Sequence, residues 1–516
     1  VLSADIAFIN ANIKTQNSAH PIAQALAIQG NRITKVGSNQ QIQPLISHTT
    51  KVLDIGGRTV VPGFIDTHIH VTDFGRCLLW LDLSETKSIA DLQCLLKEKA
   101  RKTPAGRWII GQGWNETRFS EQRMPTIVDL DAVAPSNPVI LYREAAMICV
   151  VNSLALKYAG IAEQTSVSQD DDIGTTNISK LTGVFHDSAV NLIWQAVPEP
   201  TEDEMISAST LACQRIFQAG ITSIDWIVIS ESELSIIQRL YDSGLLLFRV
   251  NVVVPETLLK KAVNLKSVDP AVLRVGGAFI MADGYLDSKE AALQQPYSDD
   301  PENSGKMLLT QEQLMASVRR ALTFGVQPVI HAMGDKANDI TLNVIEQIQT
   351  ADIRFRIEQA ALLNQSLIDR LKKQNIVVSI QPKVISTEFT VWSAKERLGD
   401  RARLLHPVKT LLDQGVRVAA GSDCPMEPLD VLLGIQELVT RTAYPEQKLS
   451  VDEAISLYTL NAAYCSGDEA IKGSVEEGKL ADLIVLSADL DSVIPEKVGA
   501  VTVDFVVLNG CIMVVT

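Results

Sequence analysis

Short apolar runs of two distinct kinds divide this chain. Over the first sixty residues they are brief and separated by Asn- and Gly-containing turns, as in Ile6–Ile9, Ala25–Gln29, Arg32–Val36 and Lys51–Asp54. Runs of this length, bounded by turn residues, predict a small antiparallel sheet. The last forty residues repeat the habit in Ala481–Ser487 and in a run from Asp504 that ends at the Asn509-Gly510 turn. Because both ends are β-rich and the middle is not, the simplest assembly is one β-sandwich-like domain made from residues 1–60 and 470–516. Everything between them is then an insertion.

From about Val60 apolar runs alternate with helical periodicity. Gly220–Asp225, Gly325–His331, Asn375–Gln381 and Gly415–Asp423 read as strands, and Leu314–Phe324, Leu367–Gln374 and Pro407–Gln414 read as the helices preceding the last three. Such alternation is expected of parallel strands. Those three runs end in side chains able to do chemistry, His331, Gln381 and Asp423. Since the active site of a (β/α)8 barrel gathers at the C-terminal ends of its strands, an α/β chain with a TIM-type barrel over residues 61–469 is predicted. The interval from about 84 to 200 is too long for one strand–helix unit. Trp108–Asn115 and Pro138–Arg143 read as strands of an inserted α/β subdomain, and Gln169–Gly174 as an exposed acidic loop.

Composition narrows the partners. A chain of 516 residues with 46% hydrophobic content can bury a large core. Its formal net charge of −15 disfavours partners that need phosphate neutralisation, so a small-molecule substrate is expected rather than nucleic acid. Seven cysteines without a C-x-x-C pair suit a reducing, cytoplasmic setting. The first residues lack a basic, apolar leader and no run approaches the roughly 20 apolar residues of a membrane span. Symmetry statistics favour a homodimer among possible assemblies.

His68 and His70 follow the apolar run Val60–Asp66, and two residues apart on a strand they project from one face. That arrangement offers two imidazoles to one ion, although H-x-H alone serves equally well as a polar strand end. His331 and Asp423 stand at two further strand ends, and the chain has only seven histidines. Imidazole with carboxylate suits zinc or ferrous iron. Asp283, before Gly284, either contacts substrate or shapes a turn. Trp114 is a candidate for a pocket wall, against the commoner role of a buried tryptophan in packing.

Together, Val61-Pro-Gly-Phe-Ile-Asp-Thr-His-Ile-His70, His331-Ala-Met-Gly-Asp335, Arg356-Ile-Glu358, Gly421-Ser-Asp-Cys-Pro425 and Gly473-Ser-Val-Glu-Glu-Gly-Lys-Leu-Ala-Asp482 resemble the amidohydrolase superfamily, in its amidohydrolase-3 branch, which includes the N-substituted formamide deformylases. The resemblance implies a metal-dependent hydrolase of non-peptide carbon–nitrogen bonds, of amide, N-acyl or N-formyl type. It implies His68, His70, His331 and Asp423 as metal ligands. Asp423 would take a proton from a metal-activated water and pass it to the leaving nitrogen, with His331 beside it in the catalytic set.

Four positions depart from that pattern. Phe279 stands where two-metal members carry a bridging carboxylated lysine, and Lys289 lies beyond the Asp283-Gly284 turn. Gln359 replaces the histidine of R-I-E-H, which leaves it as a substrate-binding candidate together with Asp283 and Trp114. Met147 and Val384 replace two polar pocket positions. One divalent ion is therefore expected, zinc ahead of iron, and no second metal. The alternative is a degenerate barrel that binds a small ligand or a partner without turnover.

Overall fold

A computed structural model describes residues 3–144, 148–161, 173–175, 181–186, 189–348 and 353–514. The chain divides into two compact units, residues 1–74 with 209–516, and residues 75–208. The acidic stretch ahead of Ile173 and the position of Met147 fall outside the described residues.

In the larger unit the two chain ends share a sheet. Thr59–Pro62 pairs antiparallel with Leu483–Leu486, which pairs in turn with Val503–Leu508, so three N-terminal and three C-terminal strands join edge to edge in one six-stranded sheet. Ile6–Ile9, Ala25–Gln29, Arg32–Gly37 and Lys51–Asp54 form a four-stranded partner sheet. Phe8, Leu26, Val60, Leu483 and Val507, all fully buried, pack in the core that both sheets supply. Burial of such side chains at about 25 cal/mol per Å² is what holds distant parts of the sequence together.

The same unit contains eight parallel strands in sequence order: β1 (Phe64–Ile69), β2 (Ile221–Ile227), β3 (Arg249–Pro255), β4 (Leu273–Met281), β5 (Gln327–Ala332), β6 (Arg356–Gln359), β7 (Val377–Ile380) and β8 (Arg417–Ala420). The ring closes not by a full ladder between β8 and β1 but just past their ends. An isolated parallel bridge joins Ile69 to Cys424, the Asp423 amide donates to the His68 carbonyl (2.8 Å), and the His70 amide donates to the Cys424 carbonyl (2.9 Å). Asp66 adds a side-chain stitch, its Oδ1 accepting from the amides of His68 (3.0 Å) and Ser422 (2.9 Å). A Cβ at Gly421 would lie 2.5 Å from the His68 amide nitrogen, so this approach needs glycine.

Helices between strands begin where capping residues stand. Thr310 and Gln313 form a reciprocal capping box for the helix Gln311–Thr323, which buries Leu314, Ser317, Val318 and Ala321. Apolar periodicity alone starts that helix at Leu314, one turn late, because the first turn is polar. Among the described residues no helix is long and apolar enough to cross a membrane.

The smaller unit is a six-stranded mixed sheet in the order Ile173–Thr175, Leu181–His186, Ile148–Val151, Val139–Arg143, Ile109–Trp114, Leu81–Asp82, accompanied by the helix Ile89–Lys102. Trp114 belongs to its core. The side chain is fully buried among Leu92, Leu96, Val139 and Leu141, and its indole N–H donates to the Leu141 carbonyl at 3.0 Å. That corrects its reading as a pocket wall. A ring with no exposed surface and a satisfied polar atom has nothing left to offer a ligand.

Candidate metal centre

Closure of the ring brings the first and last strands together, and with them the side chains the sequence singles out. Nε2 of His70 lies 3.5 Å from Asp423 Oδ1, and Nε2 of His68 lies 3.6 Å from the same oxygen. Ligand atoms of His68, His70 and Asp423 all fall within 4.8 Å of one another. Ligands about 2.0–2.2 Å from a tetrahedral ion stand at comparable mutual separations, so the three atoms fit a single small divalent cation. Asp423 is held at φ +58°, a left-handed conformation uncommon for a residue with a side chain. Such strain persists where surrounding bonds impose it, here the seam hydrogen bond to His68.

The other nitrogen of His68 explains its orientation. Nδ1 contacts Glu358 Oε2 at 2.9 Å, which fixes the ring and turns Nε2 toward Asp423. Glu358 also accepts from the Arg356 guanidinium and, at 3.3 Å, from Gln381 Nε2. Burial alone would raise its carboxyl, but Arg356 and His68 hold it down at about 2. Arg356, itself fully buried, donates as well to Asp225 and to the Thr67 carbonyl, and Asp225 accepts further from Asn251 Nδ2 (2.9 Å) and Ser466. A chain of buried charges thus runs from β2 through β6 to the histidine on β1. Asp225 is a functional neighbour to which the sequence reading gives no role, and Arg356 enters that reading only as part of a motif; the signal is a charged residue inside an otherwise apolar strand, which burial permits only when paired. Arg356→Met should destabilise the protein by about 3 kcal/mol in urea unfolding, since two buried carboxylates lose their counter-charge. Glu358→Gln should weaken divalent-metal affinity about 10- to 100-fold, read by titration calorimetry.

The remaining predicted residues are placed differently. His331 ends β5, on the far side of the ring from β1, and stays outside the converging group of three. Its Nε2 is buried and, among the described residues, without a hydrogen-bond partner, 4.0 Å from Asp283 Oδ1, and the Tyr285 ring lies 5.2 Å from its own. Burial, with the His68 charge second, holds its imidazole down at about 4. Asp283 is fully buried, and its two oxygens accept from the amides of Met333 (2.8 Å), Gly334 (2.9 Å) and Ala292 (2.9 Å). Its substrate-binding reading is corrected accordingly: the carboxylate ties the loop after β4 to the loop after β5. Gln359 is buried at φ +67°, with Oε1 lacking a partner among the described residues. Tyr285, directly after the Asp283-Gly284 turn and 45% exposed, is a neighbour of the site that motif reading misses.

Phe279 occupies lumen space. Its ring packs on Ile227, Val253 and Val329 and meets the His68 ring edge-on, centroids 5.8 Å apart. Lys289 takes no part, its ammonium paired with Asp299 at 3.1 Å.

Residues 51–514 match the pattern of a family described as the amidohydrolase family. YtcJ of Bacillus subtilis, an amidohydrolase by name, is 32% identical over 95% of this chain and 96% of its own length. The N-substituted formamide deformylase of Arthrobacter pascens is 27% identical over 94% of each chain. A crystal structure of a metal-dependent hydrolase from Pyrococcus furiosus superposes with a TM-score of 0.78 at 28% identity, covering 95% of this chain and 100% of the other.

Proposed function

The chain belongs to the amidohydrolase family and is a metal-dependent hydrolase acting on small molecules, and from that premise we propose that it cleaves an amide-type carbon–nitrogen bond, N-acyl or N-formyl, with one zinc ion. The convergence of His68 Nε2, His70 Nε2 and Asp423 Oδ1 carries this reading. Their donor set, two imidazoles and a carboxylate, suits zinc, and His331 would complete it from across the lumen. When bound, the ion supplies the Lewis acidity that makes water a nucleophile near neutral pH.

The chain's own groups do the rest. Asp423 Oδ accepts the proton that water gives up and delivers it to the departing nitrogen, so that amine leaves neutral and acid remains. Glu358 holds His68 in the tautomer that leaves Nε2 free. Gln359, with an unused amide oxygen, accepts a hydrogen bond from the substrate N–H. Phe279 fills the space a second ion's bridging lysine would need, which supports a one-metal count.

The experiment is metal analysis of purified protein together with assays on N-formyl and N-acyl amines. Close to one equivalent of zinc and amine release are expected. Zinc-loaded protein that binds these amides without releasing amine would overturn the reading in favour of a binding-only barrel.

A further inference from the structure

The smaller unit holds a cavity that the metal chemistry does not use. It measures about 430 Å³ and lies among Arg76, Trp80, Lys99, Arg107, Trp108 and Trp194. Volumes in this range suit small organic ligands, and an apolar lining with a few convergent polar groups is the usual composition of such sites.

Three observations set the chemistry of an occupant. First, the wall is aromatic and rigid. Trp80 stacks on Tyr142 (5.9 Å, 17° between planes) and meets Trp194 edge-on at 6.1 Å, while Trp194 also meets Tyr142 edge-on at 6.1 Å. None of these three tryptophans is completely buried, unlike Trp114 in the core of the same unit. Second, the lining is cationic in a strongly acidic protein. Arg76, Lys99, Lys102 and Arg107 line it beside two carboxylates, Glu199 and Glu204, in a chain of net charge −15, and Lys102 pairs with Glu98 at 2.7 Å. Arg76 pairs with Glu199 at 3.3 Å, and Arg107 pairs with Glu204. The Arg107 side chain is 58% and that of Glu204 40% exposed, and a pair so wet contributes little, so an incoming anion can replace it at small cost. Third, Trp108 lines the cavity, and its indole N–H is buried and, among the described residues, has no acceptor. A donor left in that state costs free energy that a ligand oxygen would recover.

We propose that this cavity is a binding site for a small aromatic carboxylate. Its planar apolar body lies against Trp80 and Trp194. Its carboxylate is held by Arg107 and Arg76, with one oxygen accepting from Trp108 Nε1. The ring faces give affinity through buried area and aromatic stacking, and the arginines select charge.

The test is titration calorimetry of the full chain with 2-naphthoate, in parallel with its neutral counterpart 2-naphthamide. Saturable binding of the carboxylate is expected, with the amide at least about tenfold weaker and with a loss of at least about tenfold in Arg107→Gln. Trp108→Phe keeps an aromatic ring without the N–H and should also weaken binding; circular dichroism of both variants should match the parent. Binding should survive removal of metal by a chelator. Four results would overturn the proposal: no saturable binding, equal binding of acid and amide, undiminished binding in both variants, or loss of binding on chelation, which would put the probe at the metal centre.

Discussion

His70→Ala is expected to abolish the metal centre: bound divalent ion should fall from near one equivalent to a small fraction by elemental analysis, and kcat/KM by at least about 10⁴-fold. The size follows from the role. Without the ion, water returns from a pKa near 7 to about 15.7 and ceases to be a useful nucleophile at neutral pH. His70 is the cleaner choice of the two strand-end histidines. His68 is tied to Glu358, and removing it would leave a buried carboxylate without one of its partners. The His70 imidazole makes no such bond among the described residues, where its Nδ1 is unpartnered. Unchanged metal content in this variant would mean that the three converging atoms hold no ion.

Asp423→Asn separates binding from proton transfer. The amide keeps the shape of the carboxylate and an oxygen that can still ligate, so metal content should fall only partly, while kcat falls about 10³-fold because an amide cannot take up the water's proton. Steady-state kinetics at saturating zinc, with metal content measured on the same sample, distinguishes this from simple loss of the ion. If kcat normalised to bound metal is unchanged, another group is the base. Asn at this position also tolerates the left-handed backbone, φ +58°, better than most residues. A folding defect is therefore not the expected cause of the loss.

The barrel is readable from sequence because each parallel strand is a short apolar run and each helix a separate periodic one. The polar terminators His331 and Asp423 mark where strands end. Helix starts are harder: the helix Gln311–Thr323 opens with a polar turn governed by Thr310, and periodicity begins only at Leu314. The strand β3 ends in Pro255 with no chemical residue to draw attention, so nothing in a motif search singles it out. Trp114 and Asp283 show the same limit from the other side. A tryptophan or an aspartate beside a glycine has the same one-dimensional appearance whether it faces a ligand or satisfies neighbouring backbone. Only packing separates the two, and in both cases it places the residue in the scaffold. The pairing of Asp225 with Arg356 and of Glu358 with His68 is invisible for a related reason, because the partners lie 131 and 290 residues apart in sequence and meet only when the strands assemble.

The clasp between the ends of β8 and β1 has a consequence for how the enzyme ages. Seven neighbouring strand pairs share ladders, whereas this last joint rests on one bridge, two backbone bonds past the strand ends and the Asp66 stitch. Thermal breathing concentrates at the least-bonded joint. His68, His70 and Asp423 sit on that joint, so an ion gripped by all three works as a rivet through the hoop. Apo protein should loosen first at the place where catalysis happens, and long-term storage life would then be governed by metal occupancy more than by the size of the core.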